Sequence, residues 1–124
     1  LKMYRSYFVF GIGLNNFTEL CKTDPFKNIL KNIGCVTHPH NFYLQWLIET
    51  GPLGLILFIF IIFFMFQHVK NNKDYTGKLI SIITLVIIFW PIMSTGSFVK
   101  NWMGISSFFA IGLALSMDKF QLDR

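Results

Sequence analysis

Charge is what this sequence has least of. Only 14% of its 124 residues are Asp, Glu, Lys or Arg, against about a quarter in a soluble domain. The few charges stand between apolar blocks rather than along them. That composition excludes an ordinary soluble domain and makes a membrane the expected solvent. Arginine is scarcer still, with Arg5 alone before the C-terminal Arg124. No stretch has the basic n-region, short apolar core and small-residue cleavage site of a signal peptide. Runs such as LILFIFIIFFMF do not alternate apolar with polar residues, which excludes a transmembrane barrel. The motifs of the common nucleic-acid-binding modules are missing too. The net charge of +5 therefore does not point to nucleic acid. Part of it, Lys70, Lys73 and Lys78, clusters between two apolar runs, where cytoplasmic loops carry their lysines. No internal repeat or low-complexity segment occurs. The sequence opens on Leu1 rather than Met and is read as the C-terminal piece of a longer protein.

What is present is apolar and aromatic, including fifteen phenylalanines. Three windows are expected to span a bilayer: about 47–66, about 77–96 and about 98–117. Each holds roughly 20 residues, enough at about 1.5 Å per residue to cross a ~30 Å hydrocarbon core. Lipid offers no partner to a backbone N–H or C=O, so each span is expected to be a helix. Pro52 lacks an N–H and crowds the carbonyl of Ile48, which predicts a kink there, with Gly51 and Gly54 allowing close backbone approach. Ser106, Ser107, Ala110, Gly112 and Ala114 give the third window the small residues on which membrane helices pack. Trp46, Trp90 and Trp102 fall near span ends, where interfacial aromatics collect.

The expected organisation has four parts. Residues 1–10 are an interfacial segment or the end of a preceding span. Residues 11–41 form a polar loop, with turn signals at Asp24-Pro25 and Ile33-Gly34. Residues 42–117 hold the three helices, and residues 118–124 form a tail. With the 11–41 loop outside, Lys70, Lys73, Lys78, Lys119 and Arg124 lie inside, against Lys100 alone in the short outer loop. Lys22, Lys27 and Lys31 then also lie outside, but long loops obey the charge rule less strictly.

The informative stretch is Gly34-Cys35-Val36-Thr37-His38-Pro39-His40-Asn41. Asn41, Gln45 and Glu49 follow at i, i+4 and i+8, on one face of a helix. Such a stripe either faces a bundle interior or water-filled cavity, or is the solvated side of an interfacial helix. Pro39 stiffens the loop and pushes His38 towards an extended backbone.

These residues resemble the O-antigen ligase/polymerase family of bacterial envelope glycan enzymes. That family carries His followed by Asn or a similar residue, nine residues, then a Gly-x-x-Gly-like pair. Here those are His40-Asn41, the stretch from Phe42 to Thr50, and Gly51-Pro52-Leu53-Gly54. Gly11-Ile12-Gly13 with Asn16-Phe17 matches a weaker upstream element. Cys21, the Gly34–Asn41 run, Ser94-Thr95-Gly96-Ser97-Phe98 and Asn101-Trp102 look like a polymerase-like branch. The chain departs from that branch at Thr18, where a basic residue is common, and Arg5 is not matched to the arginines that family uses for diphosphate.

The resemblance implies an all-α, polytopic membrane bundle of the glycosyltransferase C type. About three of its helices would lie in this chain, in a bacterial inner membrane, beside a periplasmic loop. It implies transfer or polymerisation of glycan repeats carried on undecaprenyl diphosphate, without metal or other cofactor. A chain-length regulator or other assembly protein would be a further partner. Glycosyl transfer needs an acceptor for the proton of the attacking hydroxyl and donors for the departing diphosphate. An imidazole titrates near ~6.5 in water and can do either. His40 is the candidate for acceptor activation or donor orientation. His38, Asn41, Gln45 and Glu49 are candidates for glycan contacts or for support behind it. Placing the loop in the oxidising periplasm makes a Cys21–Cys35 disulfide expected, with two free thiols the alternative. A metal site on Cys35, His38 and His40 is a rival, but zinc sites usually take three or four protein ligands, and no second Cys or His pair is spaced to complete it. The other rival is a non-catalytic segment of a transporter or polysaccharide export component. Transporters place polar residues near the bilayer midplane, whereas these sit in a loop and at one helix mouth.

Overall fold

The computed structural model of the chain describes residues 9–22, 40–92 and 101–117. All regular structure among them is helical: α1 (Phe17–Lys22), α2 (Phe42–Lys70), α3 (Tyr75–Ile88) and α4 (Asn101–Ser116). Among the described residues, α2 is the one helix long and apolar enough to cross a membrane.

α2 is not straight. Gly51 has φ 73° and ψ −176°, far from helical values. Pro52 follows it and cannot donate to Ile48 O. Across this break Trp46 stacks on Phe58 with ring centroids 4.9 Å apart. Tyr43 meets the same ring edge-on at 5.9 Å. In a continuous helix, residues 12 positions apart lie about 18 Å from one another. The short arm, residues 42–50, therefore folds back against the long arm, residues 52–70. The first expected span straddles this break, and Trp46 belongs to the aromatic cluster inside the fold-back. At about 1.5 Å per residue the long arm measures about 28 Å, close to the ~30 Å thickness of a hydrocarbon core.

A tight turn reverses the chain after α2. Asn71 N–H donates to Gln67 O (3.3 Å) and His68 O (3.2 Å). Asp74 then caps α3, its carboxylate accepting from Gly77 N–H at 2.5 Å. α3 buries Gly77, Ser81 and Leu85 along one face. α4 answers with Gly104, Ser107, Ile111 and Ala114, all buried. Ser81 Oγ donates to Ala114 O across the seam at 2.6 Å. The small residues on both sides let these backbones approach, as in membrane bundles generally. Ser106 and Gly112, also expected to serve packing, are exposed. His68 Nε2 lies 3.2 Å from Leu115 O, joining the ends of α2 and α4. The long arm, α3 and α4 thus run down, up and down.

α3 is shorter than the second expected span. It ends at Ile88, where Phe89 N–H makes its last bond, to Leu85 O. Pro91 explains the stop, because it disfavours helical backbone at Trp90 and offers no N–H of its own. α4 has 16 residues. Leu53, Ile56, Ile59, Phe60, Phe63 and Phe64 of the long arm remain exposed. A monomeric soluble protein rarely shows so continuous an apolar surface.

Candidate active site

The end of the molecule that carries the fold-back also carries the residues singled out in the sequence. Asn41 caps the short arm, its Oδ1 accepting from Tyr43 N–H (3.0 Å) and Leu44 N–H (3.2 Å). Its Nδ2 donates to Pro91 O at 2.6 Å. Two residues on, Tyr43 Oη donates to Phe89 O at 2.7 Å. The carbonyls left over where α3 stops are thus taken by the first turn of the short arm. His40 stands just before this cap and is exposed.

The other end of the short arm is held by a loop that comes before it in the chain. Pro52 has no N–H for Ile48 O, and the break leaves Glu49 O without its helical partner as well. Ile12 N–H donates to Ile48 O and Gly13 N–H to Glu49 O, both at 2.9 Å. This docking requires glycine on both sides. Gly11 (φ +70°) lies so close that a Cβ there would meet Glu49 C and O at 2.5 Å. A Cβ on Gly51 would run into Val9 O and would stand 3.0 Å from Gly11 N. The Gly-x-Gly element of the sequence is therefore a backbone splint for a broken helix.

Between the two ends, Gln45 and Glu49 are each only 2% exposed. Of the two surroundings the stripe could have had, these two residues occupy the interior one. Gln45 Nε2 donates to Glu49 Oε1 at 3.2 Å, and the backbone N–H of Asn15 also donates to the Glu49 carboxylate. Asn15 reaches it from a left-handed conformation, φ 61°. Glu49 Oε2 is buried without a hydrogen-bond partner. Through the Asn15 N–H on its carboxylate and the Gly13 N–H on its carbonyl, Glu49 ties the 11–16 loop to the short arm.

His38 and Cys35 lie outside the described residues, as do the side chain of Cys21 and the 94–98 run; the disulfide and any ligand set on Cys35, His38 and His40 go with them. Among the described residues no three His, Cys, Asp or Glu side chains converge as metal ligands would. Residues that the sequence reading passed over are Ile12 and Asn15, which hold the loop, and Tyr43, which holds the end of α3. Two signals for them were present. Pro52 must orphan a carbonyl, and a glycine pair some forty residues upstream is suited to approach it.

Residues 1–59 match a family model described as O-antigen ligase. The matched stretch contains the docking loop, the His-Asn cap, the short arm and the break. No curated protein and no solved structure matches the chain. The similarity supports a membrane protein that takes part in glycan assembly as a glycosyl-transferring enzyme acting on a lipid-linked glycan.

Proposed function

We propose that the chain is part of an integral-membrane glycosyltransferase that transfers or polymerises undecaprenyl-diphosphate-linked glycan repeats at the periplasmic face. The observation that carries this reading is the overlap of the O-antigen ligase match with one structural unit. Residues 1–59 include the exposed His40, the short arm that carries it and the loop docked on the far end of that arm. The acceptor hydroxyl attacks the anomeric carbon of the donor glycan, and the bond from that carbon to the diphosphate carrier breaks. His40 takes the hydroxyl proton or orients the donor. His38 contacts the glycan. Gln45 and Glu49, buried and bonded to each other, support the short arm. The polymerase-like branch is favoured by the Cys21 and Gly34–Asn41 pattern, and a multi-pass inner-membrane bundle by the three apolar helices.

Deleting the gene and reading surface glycan length on a gel tests this. A polymerase deletion leaves single repeats on the lipid core. A ligase deletion leaves the core bare. An unchanged ladder contradicts the proposal.

A further inference from the structure

We infer that Asn41 is a positioning residue for His40, acting through its hydrogen bond to Pro91 O rather than by touching substrate. This rests on the enzymatic reading above.

Three contacts use Asn41's side chain. Oδ1 receives the N–H groups of Tyr43 and Leu44 at 3.0 and 3.2 Å. Nδ2 is 2.6 Å from Pro91 O. The orientation of the amide is dictated, since a backbone N–H can only donate and a carbonyl can only accept. One N–H is left for anything else. Capping alone does not call for asparagine, because Ser, Thr and Asp cap as well. The amide accepts from the first turn of its own helix through one atom and donates to a carbonyl fifty residues away through another, whereas a Ser or Thr hydroxyl would have to do both from one atom on a shorter stem. Tyr43 Oη, at 2.7 Å from Phe89 O, makes a second clasp between the same two segments. Phe58 edges against Phe89 below them, with centroids 5.9 Å apart. The backbone on the C-terminal side of His40 is thus referenced to the end of α3, which lies beyond the 1–59 match. The other end of the short arm is referenced to the 9–13 loop. Side chains that only position a catalytic group affect turnover, whereas those that hold substrate affect KM.

The test uses the full-length protein and, as probe, lipid-linked repeat units extracted from the deletion strain. Asn41→Ser keeps a cap and loses the clasp. Asn41→Asp keeps both acceptors and sets a carboxylate oxygen against Pro91 O. Tyr43→Phe keeps the ring on Phe58 and loses the second clasp. The expected result is a kcat lower by about 10- to 100-fold for both Asn41 variants, the scale of a misplaced catalytic group, with KM unchanged. Tyr43→Phe shifts kcat the same way by less. A raised KM with kcat retained would overturn the inference in favour of substrate contact. Kinetics of Asn41→Ser equal to wild type would overturn it in favour of capping alone. If one Asn41 variant does not accumulate, the other decides. His40→Ala separates the two levels. An active His40→Ala defeats the enzymatic reading, while a dead His40→Ala beside an Asn41→Ser altered only in KM defeats this inference alone.

Discussion

Gly51→Ala is the substitution on which the fold-back is most exposed. At φ 73° and ψ −176° the backbone of Gly51 is in a region essentially reserved for glycine. An L-residue there costs about 1–3 kcal/mol. The new Cβ would collide with Val9 O, and would lie 2.9 Å from Val9 C and 3.0 Å from Gly11 N. Those are backbone atoms, which cannot turn aside as a side-chain tip can. Relief requires the 9–13 loop to leave. Its departure forfeits the bonds to Ile48 O and Glu49 O, at about 0.5–1.5 kcal/mol each. Those bonds, about 1–3 kcal/mol together, are opposed by about 1–3 kcal/mol of backbone strain at residue 51 and by the clash itself, which shifts the loop towards the undocked state. The control is Gly112→Ala, where a Cβ meets nothing within 4 Å and the exposed helix gains up to about 1 kcal/mol. Ile12, 7% exposed in the docked loop, becomes the reporter as Ile12→Cys in a full-length protein lacking Cys21 and Cys35. Maleimide labels it slowly in the parent and in Gly112→Ala, and quickly in Gly51→Ala. Slow labelling of Gly51→Ala would refute the splint account of the Gly-x-Gly element.

Three further outcomes are expected, two from the sequence and the third from the structure. A single cysteine at Asn72, in the turn between α2 and α3, is expected to resist an impermeant thiol reagent in intact cells if the lysine-rich 67–78 stretch is cytoplasmic, as its charge predicts; efficient labelling reverses the topology. Mass spectrometry without reductant finds Cys21 joined to Cys35, a closure of about 15 residues worth roughly 3 kcal/mol in the chain-entropy model; two alkylated thiols contradict it. Ser81 is fully buried and bonded to Ala114 O. Ser81→Ala should therefore cost about 0.6 kcal/mol, typical of a bond between membrane helices, and Ser81→Leu about 1–3 kcal/mol by overpacking the seam. Thermal unfolding in detergent in the opposite order would show that the α3–α4 seam is not closely packed.

The helical class was legible in the sequence because lipid leaves a continuous apolar run few other options. The site of the break was legible too, since Pro52 lacks a donor wherever it sits. The sharpness of the break was not. A proline predicts a kink, but only Gly51 in a non-helical conformation turns the chain far enough to stack Trp46 on Phe58. The end of α3 was misjudged for a related reason. The window of about 77–96 reads as one apolar span, and hydropathy outweighed Pro91, whose effect on Trp90 ends the helix at Ile88. The polar stripe had the right periodicity, yet periodicity does not say what covers a face. Glu49 is met by a loop more than thirty residues upstream, through backbone groups that leave no residue-type signature except glycine. Asn41 was legible as the head of that stripe, but not as a helix cap. Its bond to Pro91 spans fifty residues and depends on where α3 stops, which the sequence reading had placed elsewhere.

The central claim is that His40 performs the transfer from a rigid mount, and replacing His40 with alanine in the full-length protein measures it most directly. His40 is exposed and outside the apolar core, so its removal is expected to cost folding about 0.5 kcal/mol at most. The variant should insert and accumulate like wild type and yet fail to restore long surface glycan to the deletion strain. His68→Ala, at the opposite end of the bundle, should restore it fully. Long glycan chains from the His40 variant at wild-type protein levels would contradict the account.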